Sequence, residues 1–300
     1  MSSMCMSKNY IRNCWLNVKI MGNHISTTHC KFNPKGGVIK KLDKDTYVNT
    51  QTGEIGKFNH TTTRNEDLKG IKKSMSKLRD IVNTNITNPK NTLWITLTYK
   101  DNMTDEKKLY KDYEKFVKKL HYHYGDFEYI ACAEPQERGA WHMHVIMIFE
   151  HKPFIPNAEL SALWEHGFTK TTSIEDVDNV GAYLSAYLSD LEIENQTSDS
   201  TCKKIIKGAR LCLYPRGMHF YRTSKGIKQP RKLKLTVDNF VRRFILPKKI
   251  QPYHVTYNKT KEYDNGNVIT WTVYNLNKTP NTEELLLFNY GAMLINDNIF

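Results

Sequence analysis

Residues 141–149, Trp-His-Met-His-Val-Ile-Met-Ile-Phe, constrain this chain more than any other stretch. His142, His144, Ile146 and Ile148 alternate with Trp141, Met143, Val145, Met147 and Phe149, the pattern of a strand buried on both faces. The spacing of two puts both imidazoles on one face, where burial obliges them to find hydrogen-bond partners or a metal. Residues 127–134 (FEYIACAE) read as a second strand and 135–140 as the turn between the two. If the strands pair as an antiparallel hairpin with Glu134 opposite His142, the carboxylate comes within reach of both rings. Two neutral nitrogens and one carboxylate suit Mn²⁺, Mg²⁺ or Zn²⁺, with positions left for water or a phosphate oxygen. The competing readings of the same residues are a core pair satisfied by hydrogen bonds and a chance pairing at the surface.

The flanking sequence supplies a fold for this hairpin. Leu68, Ile71, Met75, Leu78 and Val82 mark a helix over 64–83. Residues 92–99 (TLWITLTY) are a β-branched and aromatic strand, followed by a helix that Thr104 or Asp105 can start and that carries Leu109, Tyr113, Phe116, Val117 and Leu120. After the hairpin, 157–166 reads as a short helix, 167–172 as a strand and 174–191 as a further helix. The order β-α-β-β-α-β predicts an α+β, ferredoxin-like or RRM-like sandwich with a central antiparallel sheet. One sheet face is then expected under the helices and the other open to a ligand. In the last helix Tyr183 and Tyr187 lie four apart on one side, flanking an apolar stripe of Val177, Val180, Leu184, Leu188 and Leu191. Two tyrosines packing at a core edge would show the same spacing.

Charge is distributed unevenly. The chain carries a net +13, but residues 203–249 alone hold fifteen Lys or Arg against one acid, Asp238, so the remainder sums to −1. A local excess of this size attracts polyanions, nucleic acid before a membrane surface, because no amphipathic basic helix stands out. Aromatic Tyr214, His219, Phe220 and Tyr221 are interleaved there with basic residues, and Lys207, Arg210, Arg216, Arg222 and Lys225 are the candidate DNA contacts. Six cysteines without a C-x-x-C pair suggest a reducing cytoplasm. Apolar runs are strand-sized, so no membrane role is expected, and a GxxxxGK[ST] phosphate loop is absent.

Three segments, TLWITLTYKDN, ERGAWHMHVIMIF and VGAYLSAYLSD, resemble in order the three motifs of the HUH endonuclease superfamily. The similarity is greatest to the two-tyrosine rolling-circle replication initiators (Rep) of bacterial plasmids and phages, of the phage gene A type. The resemblance implies His142 and His144 as ligands of Mg²⁺ or Mn²⁺, Glu134 as the third ligand with Glu137 as the fallback, and Tyr183 and Tyr187 as nucleophiles. It implies nicking of a single-stranded or hairpin origin, with a host helicase and polymerase as partners. Relaxases and transposases of the same superfamily are the neighbouring alternatives, and a non-enzymatic RRM-like single-strand-binding module is the distant one. Relatives commonly place a lysine three residues after a motif tyrosine; here those positions are Ala186 and Asp190, which leaves the role to another cation such as Arg138 or Lys170. Along the chain the expected pieces are a polar segment (1–60), the nicking domain with its leading helix (61–191), a linker (192–200), the basic segment (201–250) and a C-terminal appendage (251–300).

Overall fold

The computed structural model of the chain describes residues 14–32, 39–58, 68–136, 138–175, 177, 179–181, 184, 213–215, 218–264 and 266–280. In chain order these form β1 (Trp15–Met21), β2 (His24–Cys30), β3 (Ile39–Lys41), β4 (Thr46–Asn49), β5 (Ile55–Lys57), α1 (Leu68–Asn85), β6 (Thr92–Thr98) and α2 (Glu106–Tyr124). There follow β7 (Glu128–Pro135), β8 (Trp141–Ile148), α3 (Asn157–Trp164), β9 (Thr169–Thr172), β10 (Tyr221–Thr223), β11 (Arg231–Thr236), α4 (Val237–Phe240), β12 (Val255–Glu262) and β13 (Val268–Asn275). They fall into two units, one drawn from Met1–Phe58 and Pro230–Phe300, the other from Asn59–Gln229.

The second unit is the expected sandwich. Its sheet runs β10-β7-β8-β6-β9, and every pairing is antiparallel. β6-α2-β7-β8-α3-β9 is the βαββαβ order, with β10 added at the β7 edge. Asp105 caps α2 by accepting hydrogen bonds from the backbone of Lys107 and Lys108, satisfying two donors that the first helical turn leaves open. α2 and α3 cover the face carrying Leu97, Met143, Val145 and Tyr129. Tyr113 of α2 meets Tyr129 edge-on at 5.4 Å, the Trp141 indole donates to the Thr104 carbonyl, and the Thr169 hydroxyl donates to Asn157.

The opposite face carries the histidines, and it is less open than the sequence predicts. Its inner residues Trp94, Ile130 and Ile146 are buried in the same core as Met75, Leu78, Ile81 and Val82 of α1. With α2 and α3 on the other side, the stripe of α1 is what covers these residues. Val180 and Leu184 add to the core, and Gly181 donates to the Asn83 side chain at 3.0 Å. A Cβ at Gly181 would come within 2.6 Å of the Arg79 carbonyl, so the approach requires glycine. Among the described residues this leaves the end of the face, around His142 and the outer strand β9, open to a ligand.

In the first unit, strands from three separate stretches of sequence pair as β11-β1-β2-β13-β12, beside a small sheet β3-β4-β5. The segments that read as N-terminal, basic and C-terminal pieces thus share one sheet. β1 and β2 join through Gly22-Asn23, where Gly22 has φ +57, the positive value that suits the first position of a two-residue hairpin turn. A compact core of Leu16, Val18, Ile25, Leu235, Phe240 and Ile250 holds this unit.

Candidate active site

Register determines which side chains share the histidine face, because directly paired residues of an antiparallel sheet point the same way. Glu134 pairs with His142, and His142 with Thr98. In the next row Cys132 pairs with His144, His144 with Thr96, and Thr96 with Lys170. The expected opposition of Glu134 and His142 is therefore present.

The closest polar contact is diagonal. His144 Nε2 lies 2.8 Å from Glu134 Oε2, and His144 Nδ1 lies 3.1 Å from Thr96 Oγ1. His144 is 2% exposed and Glu134 9%, while His142 is partly open. The ring of His142 stands 6.1 Å from that of His144, nearly edge-on. Two tautomers satisfy the His144 contacts. With the proton on Nε2, His144 donates to Glu134 and accepts from Thr96; the pair is then complete. With the proton on Nδ1, it donates to Thr96, and the Nε2 lone pair faces a carboxylate, an arrangement that needs a proton or a cation between the two acceptors.

The second tautomer is the one compatible with a metal, since it orients the ring through a hydroxyl and frees Nε2 for coordination. Among the described residues no three His, Cys, Asp or Glu side chains already stand as a metal cage. The donor set fits a borderline divalent ion provided the His144–Glu134 contact opens. Burial, with the Glu134 charge adding to it, pushes the Cys132 thiol well above its ordinary range, so it stays protonated beside the histidines.

The other expected site residues divide into three groups. Tyr183, Tyr187, Glu137, Lys207, Arg210 and Arg216 lie outside the described residues. Arg222 pairs with Ala131, which puts it on the face away from the histidines, with its guanidinium 3.4 Å over the Tyr110 ring. It borders a cleft of about 520 Å³ with Glu106, Lys107, Lys111, Glu114 and His219. Lys225 is exposed in the turn after β10. The third group holds the two cations considered for the missing motif lysine. Arg138 donates to the carbonyls of Tyr99 (2.8 Å) and Lys100 (3.4 Å) and to Gln136, so it braces the loop after β6. Lys170 is exposed on the histidine face.

Residues 92–192, about a third of the chain, match a family model described as replication-associated protein ORF2. The matched stretch contains β6 to β9, the histidine pair and both tyrosine positions, and this part of the chain is similar to replication-associated proteins. Neither a curated protein nor a solved structure matches the chain. Among the described residues no helix is long and apolar enough to cross a membrane.

Thr96 and Thr98 are not singled out by sequence reasoning. They become visible only through the register of β6 against β8, although the alternation of threonine with apolar residues in TLWITLT is a signal for one polar face.

Proposed function

We propose that this protein initiates rolling-circle replication by nicking and rejoining single-stranded or hairpin origin DNA through a 5′-phosphotyrosine. The observation that carries this reading is the placement of Glu134, His142 and His144 on one sheet face, within the segment similar to replication-associated proteins. Glu134, His142 and His144 would hold Mg²⁺ or Mn²⁺. When bound, such an ion would supply charge stabilisation at a non-bridging phosphate oxygen.

Tyr183 or Tyr187 supplies the attacking phenol oxygen. Its bond to phosphorus forms as the bond from phosphorus to the 3′ oxygen breaks, leaving a free 3′-hydroxyl and a 5′-phosphate ester on the tyrosine. Rejoining is the same exchange in reverse, so the phosphodiester bond energy is kept. An ordinary tyrosine with a pKa near 10 is a weak nucleophile at neutral pH, which is why a charge-stabilising site beside it is needed. Thr96 holds the His144 ring in orientation. The free 3′-hydroxyl primes a polymerase, and strand separation falls to a separate helicase.

Incubating the full chain with circular single-stranded DNA bearing candidate origins, with Mn²⁺, Mg²⁺ or a chelator, tests the proposal. A metal-dependent protein–DNA adduct that survives detergent and disappears in the Tyr183→Phe/Tyr187→Phe double variant is the expected result. An adduct that persists in the double variant assigns the nucleophile elsewhere.

A further inference from the structure

The outer strand β9 brings two exposed side chains onto the histidine face. β9 pairs with β6 so that Lys170 stands opposite Thr96 and Thr169 opposite Leu97. The ladder continues one residue further, with the Thr98 amide donating to the Phe168 carbonyl at 2.9 Å. Two rows therefore cross the sheet, one of Phe168, Thr98, His142 and Glu134, the other of Lys170, Thr96, His144 and Cys132. The intervening Thr169 supports this assignment: it is buried and bonded to Asn157 of α3, on the opposite side of the sheet.

Phe168 is 75% exposed, and Lys170 is exposed and makes no hydrogen bond or ion pair among the described residues. An exposed phenyl ring loses apolar stabilisation unless a ligand covers it. Here a ring and a cation lie two residues apart on one flat edge, about 10 Å from the histidines across two strand spacings. That combination suits a polyanion with accessible flat apolar faces. A single-stranded nucleic acid has such faces; a duplex hides its base faces in the stack and offers only phosphates to Lys170.

We propose that Phe168 and Lys170 form a binding platform for single-stranded DNA, with a base stacked on the Phe168 ring and the adjoining phosphate on the Lys170 ammonium. The strand then runs along the threonine positions Thr98 and Thr96 toward His142. The orientation of this path rests on the nicking function proposed above; the platform itself is a binding property and can be measured without cleavage.

The test uses the full chain in a chelator with a labelled fifteen-nucleotide oligo-dT, so that no metal-dependent chemistry intervenes. Phe168→Ala is expected to weaken binding about tenfold, as loss of one stacked base does, while Phe168→Trp retains affinity and shows indole quenching beyond that of the parent chain. Lys170→Gln is expected to reduce the slope of log affinity against log salt by about 0.7, one phosphate contact on a single strand. Both side chains are exposed, so unchanged melting temperatures check that the fold is intact. Parent-like affinity for Phe168→Ala with no added quenching in Phe168→Trp would overturn the proposal, as would equal binding of oligo-dT and a duplex by the parent chain. Failure of the nicking function is read separately, as an uncut origin circle in Mn²⁺, and leaves these binding results standing.

Discussion

The sheet β10-β7-β8-β6-β9 and the sheet β11-β1-β2-β13-β12 each have five antiparallel strands, and each buries a histidine. His24 of β2 is 6% exposed and His144 of β8 is 2% exposed. The neighbours differ. His24 stands opposite Met21 and Asn275, whereas His144 has Thr96 and Cys132 across from it and the Glu134 carboxylate on Nε2. A buried imidazole on its own therefore carries little functional information. A second imidazole, an acid and a hydroxyl on the same face are what set His144 apart and support the proposed metal site.

The largest expected difference between the sheets is in chemistry. His142→Ala or His144→Ala should lower nicking on the order of a thousandfold, as removal of a charge-stabilising group does, while His24→Ala leaves the nicking rate within a few-fold. Single-turnover cleavage measures both. Comparable losses in all three variants would erase the distinction.

The second difference is in which core supports the site. Ile95 and Ile25 are both fully buried, one in each unit. Either isoleucine replaced by alanine is expected to cost about 2–5 kcal/mol. Only Ile95→Ala, which lies in the unit that carries the site, should lower the urea concentration at which nicking is lost, read as nicking rate in a urea titration.

A third measurement concerns pH. Burial raises the Cys132 thiol far above its ordinary value of 9.0. The unfolded chain releases this proton near pH 9 while the folded chain keeps it, so stability contributed by the protonated thiol is present below pH 9 and declines as pH rises above it. The decline from this one group is at most about 1.4 kcal/mol per pH unit. Urea midpoints between about pH 8 and 10 should fall less steeply in Cys132→Ala than in the parent.

The smallest effect belongs to the cap of α2. Asp105→Ala removes an acceptor for two backbone amides and should cost about 1 kcal/mol, with nicking unchanged once the protein is folded. A loss of nicking without a loss of stability would instead tie Asp105 to the site.

Most of the second unit was legible because its signals are local. The apolar run that follows His144 in β8, the β-branched run of β6 and the Asp105 cap each act within a few residues. The first unit was only partly legible. Residues 46–48, 253–257 and 268–274 carry the β-branched and aromatic residues of strands; β4 and β13 lie at the first and last, while β12 begins only at Val255, after a 3₁₀ turn over Pro252–His254. β1, β2 and β11 escape the sequence reading, although Leu16, Val18 and Ile20, and Leu233 and Leu235, alternate as strand residues do. The alternating runs are only two or three apolar residues long, and the partners come from opposite ends of the chain. The expected open face was also only partly right, since nothing in the sequence of α1 announces which side of the sheet it covers.

The sequence by itself determined the strand carrying the two histidines, the acid opposite the first of them and the order of elements around them, because periodicity and turn chemistry act over short spans. Only the tertiary structure decided that Glu134 reaches His144, that Arg222 lies on the far face, and that Phe168 and Lys170 share the histidine rows. Those facts follow from cross-strand register, in which a shift of one residue reverses every side chain, and register is set by packing between distant segments.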